Sequence, residues 1–359
     1  MRISTQPLAT RRALRLTVSL AALASLLTLL LSGCSFGTSS TSTSSNGGKL
    51  TKVTLALDFA PNTNHTGIFV AQQKGWYRQN GIDLNILPLG QTAPEQLVEA
   101  HQADFAISYT EAVTVERGKG QPLVSLAAII QHNTSALVTL KSSGLNSVAK
   151  LAGKTYAGFY APSYEKPVIS LALACGGASN TNFNDVDTSV DAIQALKSGK
   201  WDFAWIFSGW TGIEAQRAGV ALNTFPITDY CIPDYYTPVI VTNDSMIKQQ
   251  PDVVKRFMKA TAEGYTYAIQ HPKEAADLLI QGAPKGSFDD KQFIYDSQSY
   301  LSQRYAQDAK CWGFQTLDKW TNYPRFMYNH GAILDANGNP LKTEPDYASA
   351  FTNQFLPSC

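Results

Sequence analysis

Two amides, an imidazole, a carboxylate and an aromatic ring share one loop, Asp58-Phe59-Ala60-Pro61-Asn62-Thr63-Asn64-His65-Thr66-Gly67. Such a set can hydrogen-bond the edge of a small ring and lay an aromatic face against it. The plainer reading of the same residues is a Pro/Asn turn with an Asx-capped helix. Tyr109, Gln131, Asn133, Tyr160, Trp210, Tyr235 and Tyr236 add rings and amides further along, most of them at predicted strand ends. The loops also carry Asp58, Glu111, Glu165 and Asp234 against one clear cation, Lys166. Sulfonate, nitrate or phosphate needs positive charge or converging N–H donors. This set instead favours a neutral or weakly cationic planar ligand held between aromatics. Catalysis finds no support: there is no Gly-x-Ser-x-Gly elbow and no Ser–His–acid set. His65, His101, His132, His271 and His330 are scattered, with no zinc-like spacing, so neither metal nor cofactor is expected.

The elements that must position these groups follow a βα rhythm. Val53 to Phe59 alternates apolar and polar residues as a strand does, and a short helix runs from Gly67 to Gly75. Strands are expected at Gly81–Leu87, Ala103–Ile107 and Leu123–Ile130, with a helix at Pro94–His101. The pattern restarts after Ser147 with a short helix and a strand at Thr155–Gly158. It continues with a helix at Ser189–Gly199 and a strand at Trp201–Phe207. Tyr236–Val241 reads as a strand returning to the first part of the chain. Helices follow at Asp252–Gln270, Pro272–Gln281, Asp289–Gln307 and Leu317–His330, with Pro251 and Pro272 at helix starts. Strands alternating with helices predict parallel βαβ units. One α/β lobe (49–137 and 239–359) split around a second (138–238) makes a two-strand hinge and a cleft able to close.

The N-terminus has the parts of a secretory signal. Arg11, Arg12 and Arg15 precede an apolar run from Leu16 to Leu31, closed by Ser32-Gly33-Cys34. Leu31-Ser32-Gly33-Cys34 resembles a bacterial lipobox, which implies removal of residues 1–33 and lipidation of Cys34. A retained transmembrane helix is the rival reading of the run. The arginines also loosely resemble a twin-arginine export signal. Residues 35–48 are almost all Ser, Thr and Gly, a tether unable to bury an apolar core. The expected location is the outer face of the cytoplasmic membrane, lipid-anchored.

Loss of residues 1–33 removes four arginines and no acid, taking the formal charge from +1 to about −3. A mildly acidic body gives no electrostatic case for nucleic-acid binding. Beyond Cys34, four cysteines remain, which permits three pairings in an oxidising compartment. Cys175 with Cys231 and Cys311 with Cys359 is preferred, and four free thiols are the alternative.

The lipobox, the segment Leu57–Gly67, Lys74-Gly75-Trp76-Tyr77, Ala103-Asp104-Phe105-Ala106 and Tyr230-Cys231-Ile232-Pro233-Asp234-Tyr235-Tyr236 together resemble substrate-binding proteins of ABC importers. They are most similar to the branch that binds thiamine pyrimidine precursors, whose superfamily includes pyrimidine-precursor synthases. The resemblance implies a type II periplasmic-binding fold and a monomer that delivers ligand to a permease driven by a separate ATPase subunit. It implies that Asp58, Phe59, Asn62, Asn64 and His65 line one face of the cleft, joined by Tyr109, Gln131 and Asn133. Tyr160, Trp210, Tyr235 and Tyr236 would close from the other lobe or the hinge. Such binders tend to place an acid near Trp210-Thr211-Gly212, where this chain has Thr211. That departure leaves riboflavin or another flat heterocycle as an alternative, with sulfonate, taurine or nitrate as others. The synthases hold pyridoxal phosphate on a lysine near the third strand and carry a cysteine cluster. Here Ala106-Ile107-Ser108-Tyr109 offers no lysine, and no such cluster occurs.

Overall fold

The structure, a computed structural model, describes residues 49–158, 162–188 and 191–357. The expected signal segment, Cys34, the tether, Tyr160 and Cys359 lie outside the described residues. Gly48–Cys359 forms one compact unit.

In chain order the elements begin with β1 (Thr51–Ala56), a 3-10 turn at Thr63–His65, α1 (Thr66–Gln73), α2 (Trp76–Gln79) and β2 (Ile82–Leu87). Next come α3 (Pro94–Glu99), β3 (Phe105–Ser108), α4 (Thr110–Gly118), β4 (Leu123–Ala128), β5 (Ser135–Leu140) and β6 (Thr155–Gly158). Then follow α5 (Pro162–Cys175), β7 (Asn184–Asp187), α6 (Ala192–Lys197), β8 (Phe203–Phe207), α7 (Ile213–Arg217) and β9 (Leu222–Pro226). The chain closes with β10 (Val239–Asn243), α8 (Asp244–Gln249), α9 (Pro251–Gln270), α10 (Pro272–Gly282), α11 (Lys291–Ser302) and α12 (Leu317–Asn329).

Two five-stranded sheets result, ordered β2-β1-β3-β10-β4 and β7-β6-β8-β5-β9. The chain leaves the first sheet after Ala128, and the returning strand β10 re-enters it at Val239. β10 runs antiparallel between β3 and β4, and β5 runs antiparallel to β8 and β9. The sheets are therefore mixed where parallel units were expected, because a chain crossing between sheets arrives from the opposite end. The α/β class and the two-sheet division agree with the expectation.

The first core forms where β1, β3 and β4 meet α1, α9 and α10. Helix α9 starts on Pro251 and buries Val253, Val254, Phe257, Met258, Thr261, Tyr265 and Ala268, the three-and-four spacing of one helix face. Phe257 stacks on Phe105 with ring centroids 3.9 Å apart. The second core gathers Tyr156, Val168, Ile169, Leu173, Phe203 and Trp205. Helix α12 serves both: Trp320 packs with the first sheet, while Tyr323 and Met327 join the second core. Cys175, the last residue of α5, is bonded to Cys231 on the returning crossing, with Cα atoms 6.0 Å apart.

Candidate functional site

The Asp58–Gly67 loop follows β1 and is fixed from beneath. A Cβ on Gly264 would stand 1.9 Å from the Gly67 carbonyl oxygen, and one on Gly67 would enter the Tyr265 ring. Both glycines are needed for α1 to seat directly on α9. The Tyr265 hydroxyl donates to the Asn64 carbonyl at 2.6 Å, the Tyr305 hydroxyl to the Thr63 carbonyl, and Thr66 Oγ1 to Gln298 Oε1 at 2.6 Å. Thr63 Oγ1 meets Ser297 Oγ at 2.5 Å, and that serine donates to the Gly209 carbonyl, which follows β8 of the second sheet.

Within the loop, Asn62 caps the 3-10 turn through the backbone N–H of Asn64 (2.8 Å). The Asn62 N–H approaches His65 Nδ1 at 3.3 Å, which leaves Nε2 to donate to Asp58 Oδ1 at 2.7 Å. The Tyr109 hydroxyl donates to the other carboxylate oxygen at 2.5 Å. Asp58, His65 and Tyr109 thus form one chain of hydrogen bonds at the ends of β1 and β3. Burial, reinforced by Asp58, keeps the Tyr109 phenol far above its ordinary range, so it remains a donor.

The Tyr109 ring faces the second sheet. It lies nearly parallel to Phe207, the last residue of β8, with centroids 6.3 Å apart, and 6.4 Å from Tyr164 of α5. That spacing is at the outer limit of direct ring contact. Helices α4 and α5 pack on each other beside these rings. Their first turns contribute Glu111, which is 3 % exposed, and Glu165, which is 5 % exposed. Burial pushes the Glu111 carboxyl up to about 7, and the nearby Tyr235 hydroxyl offsets part of that rise. Tyr235 is close to Glu111, yet neither its hydroxyl nor Glu111 Oε2 makes a hydrogen bond of good geometry. The geometry outweighs mere proximity here, since a misaligned contact gives little energy. Glu95 is also buried, accepts from Ser108 Oγ at 2.5 Å, and has its carboxyl raised by burial. Among the described residues no lysine or arginine pairs with Asp58, Glu95 or Glu111.

The other expected residues make the following contacts. Phe59 is 42 % exposed at the loop surface. Asn64 contributes its carbonyl to Tyr265. Gln131 donates from Nε2 to the Phe314 carbonyl, and Asn133 Oδ1 accepts from Ser135, while Asn133 Nδ2 is buried without a hydrogen-bond partner among the described residues. Trp210 packs edge-on against Phe293 of α11 at 4.5 Å. Tyr236 is buried in the core, its hydroxyl accepting from the Thr316 N–H. Tyr235 packs at a tilt of 33° against Tyr323, with ring centroids 4.2 Å apart. Asp234 belongs to the crossings between the sheets. Lys319 Nζ lies 2.6 Å from its Oδ2, His132 Nδ1 also 2.6 Å, and the Asn133 N–H donates to Oδ1 at 2.9 Å. Lys166 pairs with Asp185 at 3.3 Å.

Sequence reasoning did not single out Phe207, Tyr164, Glu95, Tyr323 or Lys319. Phe207 ends a strand that was expected, so its place was available. Tyr164 was hidden because α5 carries Pro167 in its interior, which reads as a helix breaker. Among the described residues, no group of His, Cys, Asp and Glu is arranged to hold a metal ion. A groove of about 320 Å³ is lined by Leu57, Pro61 of the loop, Phe69, Leu84, Ile86 and Pro284, and Tyr109, Phe207 and Glu111 are not among its lining residues.

The NMT1/THI5-like family model matches residues 62–275. A formylaminopyrimidine-binding protein of Halalkalibacterium halodurans is 25% identical over 310 residues, covering 85% of this chain and 93% of its own. A 4-amino-5-hydroxymethyl-2-methylpyrimidine phosphate synthase of Legionella pneumophila is 26% identical, with 85% and 92% covered. A riboflavin-binding protein of Chloroflexus aurantiacus is 25% identical, with 86% and 87% covered. Among solved structures, the ligand-binding component of an ABC-type import system from Staphylococcus aureus aligns with a TM-score of 0.62 at 14% identity, covering 85% and 97%. The alkanesulfonate-binding protein of Xanthomonas axonopodis pv. citri aligns with a TM-score of 0.61 at 12% identity, covering 84% and 98%. The fold is that of the periplasmic binding proteins.

Proposed function

The chain belongs to the NMT1/THI5-like family, and from that premise we propose that it is the extracytoplasmic substrate-binding component of an ABC importer. Its ligand is a small planar heterocycle, a thiamine pyrimidine precursor first and riboflavin as the alternative. The observation that carries this reading is the charge of the cleft. Tyr109 and Phe207, at the ends of strands from the two sheets, lie nearly parallel near the buried acids Glu95 and Glu111, which pair with no lysine or arginine among the described residues, while Asp58 is held by His65. An anion entering there finds no lysine or arginine beside Asp58, Glu95 or Glu111 among the described residues, whereas an amino heterocycle finds aromatic faces and carboxyl groups. Fold likeness to a sulfonate binder does not change this, because ligand choice lives in the site rather than the fold.

The mechanism is capture, closure and delivery. Lobe I comprises 49–137 and 239–359, and lobe II 138–238. Sheet membership supports the division, with β5 favouring a first boundary slightly before Ser135. Ligand contacts made by both lobes exist only when the cleft is shut, and that differential affinity drives closure. The closed monomer docks on a permease, whose ATPase subunit drives release. Residues 1–33 act as a lipoprotein signal and Cys34 carries the anchor. Among the described residues no helix is long and apolar enough to cross a membrane. A binding role rather than catalysis is supported by relatives named as binding proteins and by the absence of a lysine from β3.

A thermal-shift panel tests this reading. Aminopyrimidines or riboflavin at 100 times their dissociation constant should stabilise the protein by about 2.7 kcal/mol. Stabilisation by alkanesulfonate or taurine alone overturns the ligand class. Turnover of pyridoxal phosphate to a pyrimidine product overturns the binding role.

A further inference from the structure

Glu111 enters α4 directly from the end of β3, 3 % exposed and with Oε2 lacking a well-formed hydrogen bond among the described residues. The titratable groups that face it are Tyr235 from the returning crossing, Glu165 and Tyr164 from α5, and Tyr323 from α12. None is a cation, and Glu165 opposes a second negative charge. A buried carboxylate in such a place must be protonated or find a donor. A protonated carboxyl presents one donor and one acceptor side by side. That pair complements an amidine or imide edge, where a ring nitrogen or carbonyl stands next to an N–H.

We propose that the proton on Glu111 is part of ligand recognition: its neutral carboxyl makes a two-point pair with adjacent donor and acceptor atoms on the heterocycle edge. Capture then requires the protonated acid and weakens as the acid ionises. The inference rests on the heterocycle reading of the cleft. Burial places the Glu111 transition at about 7, so the dependence falls within an accessible pH range.

The test is calorimetric titration of the full chain with an aminopyrimidine and with riboflavin from pH 6 to 8.5, each ligand's own ionisation being measured separately. Affinity for the ligand that binds is expected to fall about thirtyfold across that range. Proton uptake, read from buffers of different ionisation heat, should approach one per ligand at pH 8.5. Glu111→Gln carries a fixed donor and acceptor in nearly the same shape, so its affinity is expected to be independent of pH. Glu111→Leu, which has neither, is expected to bind at least tenfold more weakly at pH 6. A wild-type affinity that stays flat with no proton uptake, or a Glu111→Gln variant that keeps the wild-type slope, overturns the inference and leaves the heterocycle reading standing. Failure of every heterocycle to bind at pH 6 removes both. Should the variants not fold, wild-type proton uptake alone decides.

Discussion

At the crossings between the sheets, Asp234 accepts from Lys319 and the Asn133 N–H, with His132 also in contact. At the start of α4, Glu111 is more deeply buried and meets no cation among the described residues. Burial opposes ionisation at both places. At Asp234 the lysine, the backbone N–H and His132 win, and the carboxyl is held below its usual range. At Glu111 burial wins, and the carboxyl rises to about 7. Matched charge ties the crossings together whether or not a ligand is present. A buried acid without a matching charge is costly, and under the proposed function a ligand that supplies a donor offsets that cost.

The comparison can be broken most forcefully where its two regions are joined. Cys175 ends the helix that carries Glu165, and Cys231 lies three residues before Asp234. The bond spans a sequence separation of 56, so replacing both cysteines by serine should lower stability by about 4 kcal/mol on chain-entropy grounds, read by denaturant unfolding. On the cleft side, Glu111→Gln should change the pH dependence of stability. A folded-state pKa raised above the unfolded value gives stability fully present below about 4.5 and lost as pH rises through about 7. The wild type should therefore lose up to about 3 kcal/mol relative to the variant between those limits, measured by unfolding at each pH. On the hinge side the sign reverses. Lys319→Ala should cost about 2 kcal/mol at pH 7, below the fully buried range because Asp234 is 33% exposed. The gap should close as pH falls below about 4 through the lowered Asp234 value, where the carboxylate is protonated in either protein. The smallest effect belongs to Arg217, which lies 2.6 Å from both Asp290 and Asp296. These pairs are exposed, so Arg217→Ala should lower stability least of the four, by an amount that vanishes in high salt when measured by denaturant unfolding.

Much of this arrangement was legible in the sequence. Strands with a buried face, such as β1 and β4, and amphipathic helices such as α9 announced themselves by period. β7, with the sequence Asn-Asp-Val-Asp, and β9 are edge strands with little burial, so alternation carried no signal there. Helix α11 stops at Ser302 rather than Gln307, and the chain then turns, with Asp308 at a φ of 58°. In the site, the Asp58–His65–Tyr109 chain joins residues that were all expected to bind. The contacts of Gln131, Tyr236 and Trp210 with Phe314, Thr316 and Phe293 were not visible, since each joins residues more than 75 positions apart in sequence. Lys319 lies 85 residues from Asp234 in sequence, and only the packing of α12 across both cores brings them together.

The central claim is that a cleft whose acids meet no lysine or arginine among the described residues selects a neutral or cationic heterocycle against an anion. Its most direct test is equilibrium binding of a matched pair: 4-amino-5-hydroxymethyl-2-methylpyrimidine and the same ring with a sulfonate in place of the hydroxyl, titrated into the protein at pH 6.5. The account predicts that the neutral ring binds at least 100-fold more tightly, about 2.7 kcal/mol of discrimination. Equal or tighter binding of the sulfonated ring would contradict it.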